Sequence, residues 1–271
     1  MIITLTTDFG LKDGNVGVMR GVIWGIAPGV QLSDLSHLIS PQNIMEGAII
    51  LGRSTPYFPP GTIHMAVVDP GVGTQRRPIA ARLGEQWFVG PDNGLCTLMI
   101  ERAERFNQPV EIVYLDQPQY WLQEVSHVFH GRDIFAPSAA HLANGVSLSQ
   151  MGTSIANPVR LSIPRPRKTG DTWHAELIHI DAFGNLSTNL RVEDLHGADD
   201  LALTIHGQEI RGVVQTFGDR PIGDLIILYG STGSLIVSLV NGSAAQRLNA
   251  RVGDPVEVRE ISSRVSECPP E

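Results

Sequence analysis

Two different hydrophobic patterns follow one another along this chain. In the first part, short β-branched runs alternate with segments whose apolar residues recur every three or four positions, as in residues 15–27. Strands that alternate with helices predict a largely parallel sheet flanked by helices. The predicted strands are residues 2–7, 30–35, 63–68, 86–89 and 110–115, and the predicted helices are residues 15–27, 43–57 and 134–143.

The later part of the chain has only short β-rich runs, which Gly and Asn turns separate. This pattern is typical of a barrel or a sandwich. We therefore predict an N-terminal α/β domain at residues 1–162 and a smaller barrel-like all-β domain at residues 172–271. A Pro-rich basic stretch at residues 163–171 is the predicted linker. The predicted strands of the second domain are residues 173–181, 201–206, 210–217, 224–229, 234–240 and 255–261.

The composition is that of a soluble globular protein, with 42% hydrophobic and 18% charged residues. A net charge of −8 argues against nucleic acid as a partner, because binding to phosphates needs a basic surface. The sequence has no signal-peptide pattern and no apolar run long enough to span a bilayer. Its cysteines, Cys96 and Cys268, are far apart, which favours two free thiols over a disulfide. We expect a cytoplasmic protein without a membrane partner.

Acidic residues follow three of the predicted strands, at Asp8, Asp69 and Asp92. In open parallel sheets, ligands bind outside the carboxyl ends of the strands. This shared location is the best support that the residues themselves give for a functional site.

The strongest candidate chemistry lies in residues 67–77, VVDPGVGTQRR. Asp69 ends an apolar run, and a Gly-rich loop then carries Arg76 back toward it. The plain alternative is a loop salt bridge, which contributes little if it is exposed. The buried strand before Asp69 favours a functional pair.

His130 is the candidate third member of this group. Asp133 can cap the predicted helix at residues 134–143, so that His130 would lie just before the helix N-terminus. The positive end of a helix disfavours imidazolium and would keep the ring neutral, as a general base requires.

Asp8 and Asp13 are open to three interpretations. Two carboxylates after the first strand can accept hydrogen bonds from a ribose diol, or they can hold Ca²⁺ or Mg²⁺. Asp13 can also simply cap the helix that follows it.

The second domain begins with a tight turn that contains Asp181 and Asn185. Such residues are often only turn-formers, but an acid and an amide also suit the ammonium and carboxylate of an amino acid. Phe217 can stack on a purine or fill the barrel core, and its residue type alone favours the core.

Six motifs occur here in the same order as in a known family: TTDFGLKD, VVDPGVGTQRR, GPDNGL, FHGRDIFAPSAAHLA, DAFGNLSTN and GSTGSL with NGSAA. The chain resembles the adenosine-forming S-adenosyl-L-methionine (SAM) hydrolases, or SAM hydroxide adenosyltransferases, which are related to the fluorinating and chlorinating enzymes. The resemblance implies an α/β domain followed by a β-barrel. It also implies a homotrimer with each site between neighbouring subunits, and water attack at the ribose C5′ of SAM without a metal or other cofactor.

Position by position, the resemblance makes Asp69, Arg76 and His130 a catalytic trio. It implies that Asp13 holds the ribose hydroxyls, that Phe129 lies near the ribose, and that Phe217 lies beside the adenine. Asp181 and Asn185 match groups that hold the methionine part. The implied substrate-binding residues are Asp8, Asp13, Phe129, Asp181, Asn185, Phe217 and Ser231.

Several positions depart from the halogenating branch. Asp69 stands where those enzymes have a tyrosine, Gly131 where the fluorinating branch has a serine, and the stretch after Arg77 is short. An anionic Asp69 repels halide and can bind water, which favours hydrolysis. Gln42 and Leu239 stand where the fluorinating branch has a tryptophan and an arginine, and Ser234 where many relatives have an aromatic residue, so the resemblance determines the adenine and methionine contacts less well than the catalytic trio.

Three alternatives to a SAM hydrolase remain at this point: a SAM-dependent halogenase, a metal-dependent nucleoside hydrolase that uses Asp8 and Asp13, and a non-catalytic SAM sensor. Either Asp69 or His130 can be the proton acceptor.

Overall fold

The computed structural model describes residues 1–261. Cys268 and the last residues of the predicted second domain lie outside this range. The chain forms two compact units, Met1–Leu161 and a second unit that begins at Ser162.

The first unit is built on a seven-stranded sheet. Its strand order is β2-β1-β3-β5-β4-β6-β7, and β2, β1, β3 and β5 pair in parallel. β4 runs antiparallel to β5 and β6. This confirms the predicted mostly parallel sheet. The strands are β1 (Ile2–Thr7), β2 (Gln31–Ser36), β3 (Ile63–Val67), β4 (Pro78–Leu83), β5 (Gln86–Pro91), β6 (Val110–Tyr114) and β7 (Thr153–Ser154).

Helices cover both faces of this sheet. One core contains apolar residues of α1 and α4, and the other contains those of α2 and α3. The hydrophobic pattern misses α3 and the strand β4, whose central Ala80 and Ala81 have low strand propensity. The helices are α1 (Asn15–Ile26), α2 (Ile44–Ser54), α3 (Thr97–Arg105), α4 (Ala136–Ala143) and α5 (Leu148–Met151), with 3₁₀ turns at Thr55–Tyr57 and Pro118–Tyr120.

The predicted cap at Asp133 is wrong, and so is the interpretation of Asp13 as a helix cap. A π-helical turn, Gly131–Phe135, precedes α4, so Asp133 lies inside a helical segment rather than at its N-cap. The buried Asp133 carboxylate instead accepts hydrogen bonds from the backbone N and Oγ of Ser126 and pairs with Arg132. Gly14, in the left-handed conformation, is the N-cap of α1, and no side chain caps that helix end.

The second unit is an antiparallel sheet in the order β12-β11-β15-β9-β10-β14-β13, with β8 on β9. A bridge between Val213 and Ile227 links the segment after β12 to β13, so the sheet nearly closes, as predicted for a barrel-like domain. The strands are β8 (Arg167–Thr169), β9 (Thr172–Ile180), β10 (Leu186–Arg191), β11 (Leu201–Ile205), β12 (Gln208–Arg211), β13 (Leu225–Tyr229), β14 (Ser234–Leu239) and β15 (Pro255–Glu260), and the one α-helix described in this unit is α6 (Ala244–Leu248).

The pattern misses the strand β10 and the short helix α6 of this unit, and two further stretches differ from the prediction. The last residues of the predicted linker form β8, because Gly170 allows a tight turn back onto β9. The strand predicted at residues 210–217 ends at Arg211, where Gly212 has a φ of 75°. The remainder of that stretch leads into an exposed loop that carries Phe217.

His64, in the core of the first unit, predicts a loss of stability in acid. It is fully buried, its Nδ1 lies 2.8 Å from Thr4 Oγ1, and burial lowers its pKa to about 4 from 6.5. Between these values the unfolded chain binds a proton that the folded chain does not, so stability falls as the pH falls. We expect the free energy of unfolding to be about 2 kcal/mol lower at about pH 5 than at about pH 7 from this residue. Urea denaturation at both pH values measures this, and His64→Leu should remove that part of the slope.

Candidate active site

A cavity of about 350 Å³ opens at the carboxyl ends of β1 and β3. β1 and β3 are adjacent parallel strands, with Thr7 opposite Val67, so the acids that follow them, Asp8 and Asp69, reach the same edge of the sheet. The cavity is lined by Asp8, Phe9, Pro41, Gln42, Val67, Asp69, Pro70, Val72, Val128, Phe129, His130 and Gly131.

Asp69 and Arg76 form a buried, two-armed ion pair. Arg76 Nε donates to Asp69 Oδ1 at 3.0 Å, and Nη2 donates to Oδ2. The side chains of Asp69 and Arg76 are only 4% and 7% exposed. The pair is therefore not an exposed salt bridge within a loop, which was the alternative interpretation of these residues. Arg76 Nη1 is also buried and has no hydrogen-bond partner within residues 1–261.

The loop between the two residues depends on Gly73. Its φ is 74°, and a Cβ there would lie 2.2 Å from the backbone oxygen of His127. The loop therefore packs directly against the segment that leads to His130, which no side chain at position 73 would allow.

His130 completes the group through its Nδ1, which lies 3.1 Å from Arg76 Nη2. Because a guanidinium only donates, Nδ1 accepts, and we assign the neutral tautomer with its proton on Nε2. Burial, followed by the positive charge of Arg76, lowers the pKa of His130. Burial and the arginine both favour the neutral ring, and they do so apart from the helix N-terminus that the sequence suggested as the cause.

Aromatic residues form one wall of the cavity. Phe9 and Phe129 meet edge to face, with their ring centroids 5.8 Å apart. A Cβ at Gly131 would lie 3.1 Å from Met19 Sδ and 3.2 Å from the Phe129 ring, so a serine would require these neighbours to shift.

The two acids of the first loop have different surroundings. Asp8 lines the cavity, and its Oδ2 accepts a hydrogen bond of 2.8 Å from the backbone N of Gln42. Asp13 is exposed and does not line the cavity. The lining residues Phe9, Pro41 and Val72 were not predicted from the sequence, and Gln42 drew attention there only as a departure from the halogenating branch.

In the second unit, Asp181 and Asn185 bind each other. Asp181 Oδ1 accepts from the backbone N of Phe183 and of Asn185, and Oδ2 accepts from Asn185 Nδ2 at 2.8 Å. Phe217 is 51% exposed and is therefore not a barrel-core residue, contrary to the interpretation that its type favoured. Ser231 lies in the turn between β13 and β14.

The described residues also bear on two kinds of partner, a metal ion and a membrane. Within residues 1–261, no group of three or more His, Cys, Asp or Glu side chains is arranged to hold a metal ion. None of the helices described is both long and apolar enough to cross a membrane.

Known proteins resemble this chain over nearly its full length. A (R)-S-adenosyl-L-methionine hydrolase from Salinispora tropica is 38% identical over 94% of this chain and 97% of its own. A fluorinase from an Actinoplanes species is 28% identical over 95% and 97%. The crystal structure of an uncharacterized conserved protein from Thermotoga maritima superposes with a TM-score of 0.88 at 34% identity, over 96% and 100%.

Both halves of the chain match models of one family. The SAM hydroxide adenosyltransferase N-terminal domain matches residues 3–152, and the SAM hydroxide adenosyltransferase C-terminal domain matches residues 175–257. This chain therefore belongs to the SAM hydroxide adenosyltransferase family.

Proposed function

We propose that this protein is an enzyme that hydrolyses SAM at the ribose C5′ to adenosine and L-methionine. The observation that carries the proposal is the Asp69–Arg76–His130 group, in which the Asp69 and Arg76 side chains are buried and Asp69 and His130 line the cavity at the ends of β1 and β3. Family membership and the curated relatives named as hydrolases support the same substrate.

The chemistry suits a carboxylate beside a neutral imidazole. The water oxygen bonds to C5′ as the C5′–S bond breaks, and the sulfur keeps the electron pair and leaves as the neutral thioether of methionine. A hydroxide-like nucleophile and a sulfonium neutralise each other in the transition state, which a water-poor pocket favours.

We propose that Asp69 accepts the proton that the attacking water loses. His130 Nδ1 is occupied by Arg76, so the ring presents Nε2–H, which donates to the water oxygen rather than accepting its proton. Asp69 keeps free lone pairs on both oxygens beside its hydrogen bonds from Arg76, and it lines the cavity. Asp69 is then the base and His130 orients the nucleophile.

We propose that Asp8 rather than Asp13 accepts the ribose hydroxyls. Asp8 is in the cavity, one oxygen is held by Gln42, and the other remains as an acceptor. Phe129 and Phe9 supply an apolar wall for the ribose. For the second unit, the resemblance supports adenine binding by Phe217, methionine binding by Asp181 and Asn185, and a substrate contact by Ser231.

A halogenase is the second candidate, since fluorinases are among the relatives. A buried carboxylate at position 69 disfavours an anionic nucleophile such as halide.

We further propose a metal-independent, cytoplasmic homotrimer whose sites are completed by a neighbouring subunit. The family resemblance supports the trimer, and two cysteines that lie far apart in the sequence favour a reducing compartment.

Incubation of the protein with SAM in ¹⁸O-labelled water tests the proposed function. We expect adenosine that carries the label at its 5′ oxygen, together with methionine, and no loss of activity with a chelator. A 5′-halo product in halide buffer would support the halogenase. Release of free adenine and loss of activity with a chelator would support the nucleoside hydrolase. Tight binding of SAM without turnover would support the sensor.

A further inference from the structure

A buried histidine next to the end of β1 lies outside the group that carries the proposed chemistry. His37 is 4% exposed, and its Nδ1 lies 2.9 Å from Thr7 Oγ1, at the end of β1. Its Nε2 lies 3.0 Å from Asp34 Oδ1, and the other oxygen of Asp34 pairs with Arg20. The side chains therefore run in a continuous series from the surface pair to the residue that precedes Asp8.

The protons of this series can be assigned from its outer contacts. The backbone N of Phe9 donates to Thr7 Oγ1 at 3.2 Å, so the hydroxyl hydrogen is free to be donated to His37 Nδ1. The ring then carries its own hydrogen on Nε2, which faces the carboxylate of Asp34. The Phe9 amide and the Thr7 hydroxyl thus each have an acceptor, while His37 Nε2 lies within ion-pair distance of Asp34 without a well-directed hydrogen bond.

The ion pair between Arg20 and Asp34 keeps the Asp34 carboxylate ionised. Although partial burial opposes ionisation, the hydrogen bond from Arg20 and the nearby His37 ring lower the pKa of Asp34. An ionised carboxylate 3.0 Å from Nε2 favours a proton on that nitrogen, and so the tautomer that leaves Nδ1 as the acceptor for Thr7.

The same segment also binds the loop that follows β1 through its backbone. The N of Gly10 donates to the oxygen of His37 at 2.8 Å, and the N of Gln42 donates to Asp8 Oδ2 at 2.8 Å. Residues 8–10 are therefore held at three points: the Phe9 amide through Thr7 and His37, the Gly10 amide, and the Asp8 carboxylate. Two of these residues, Asp8 and Phe9, line the cavity.

We propose that His37 is a positioning residue for substrate binding: through Thr7 it holds the Asp8–Gly10 loop so that Asp8 and Phe9 form a preorganised wall of the cavity. This inference rests on the proposed function for its substrate. Phe9 contacts Phe129, so the series also supports the aromatic wall next to His130. Because Asp8 and Phe9 contact substrate and do not move the proton, the loss of the series should weaken binding more than it slows chemistry.

Thr7→Val tests the proposal, because it removes only the hydroxyl that joins Phe9 to His37. We expect the KM for SAM to rise about tenfold and kcat to stay within about threefold. Amide hydrogen exchange in the peptide that contains residues 8–10 should accelerate about tenfold or more. Thr7→Ser, which keeps the hydroxyl, should restore both values.

Two matched variants separate positioning from general destabilisation. Thr6→Val makes the same change one residue earlier on β1, where the buried Oγ1 has no hydrogen-bond partner within the described chain. Thr4→Val breaks the similar buried contact of Thr4 Oγ1 with His64 Nδ1, away from the cavity. Both should leave KM and loop exchange unchanged, even if Thr4→Val lowers Tm as much as Thr7→Val.

The outcomes distinguish this inference from the proposed function. A wild-type protein that does not turn over SAM contradicts the function, while the exchange measurement still tests the loop. An active Thr7→Val protein with unchanged KM and unchanged loop exchange would overturn the inference. So would a Thr4→Val protein whose KM and loop exchange change as much as those of Thr7→Val.

Discussion

Replacing Asp69 with asparagine is expected to lower kcat for adenosine formation by about 10³-fold or more, the loss that follows removal of a general base. The amide retains the size of the side chain, but its nitrogen cannot accept a proton from water or a hydrogen bond from Arg76. Because the nucleophile is affected rather than the ribose contacts, KM should change by less than about threefold. Single-turnover formation of adenosine from saturating SAM measures the effect.

Asp92→Asn is the matched control, because Asp92 pairs with the next arginine. Arg77 Nε donates to Asp92 Oδ2 at 2.9 Å, the Asp92 side chain is 1% exposed, and neither residue lines the cavity. We expect this variant to lose about 1–3 kcal/mol of stability and to keep kcat within about threefold. Similar losses of kcat in both variants would show that the effect of Asp69→Asn is structural, and would contradict its assignment as the base.

His130→Asn and His130→Gln separate the roles of the two ring nitrogens. An asparagine side chain offers an acceptor to Arg76 near the position of Nδ1 but no donor near Nε2, so we expect kcat to fall about 10²-fold. A glutamine amide reaches the position of Nε2 and donates there, so its loss should be nearer tenfold. The opposite order would contradict the assigned tautomer and favour His130 as the proton acceptor.

The pH dependence of the wild type checks the same assignment. Burial and Arg76 lower the pKa of His130 below 6.5, so the neutral ring dominates at neutral pH. Activity should therefore fall only when the pH drops below 6.5, where a proton on Nδ1 would oppose Arg76. The His130→Gln variant should lack this acid limb, which comparison of kcat/KM between the two proteins measures.

Local patterns predicted part of the candidate site. The run before Asp69 and the run before Asp8 have strand composition, and parallel pairing brings strand ends to one edge of a sheet. The same argument placed Asp92 at a strand end, yet the structure gives it a structural ion pair with Arg77. A strand end is shared by functional and structural acids, and only the neighbours distinguish them.

The surroundings of His130 illustrate what the patterns missed. The helical periodicity after it was correct, but the chain forms a π-helical turn there, and Asp133 is drawn inward to Ser126 and Arg132. The pairing of His37 with Thr7 was not predicted either. It joins residues 30 positions apart, and neither has a local signature that points to the other.

The sequence by itself determined the α/β and β-rich halves, most strand positions in the first unit, and a group of acids with Arg76 and His130 as candidates. These follow from periodicity and turn residues, which act over a few positions. Only the tertiary structure decided that Asp8 rather than Asp13 lines the cavity, that Arg76 contacts both Asp69 and His130, and which tautomer His130 adopts. Those outcomes depend on hydrogen bonds and burial between distant segments, which exist only once the chain has packed.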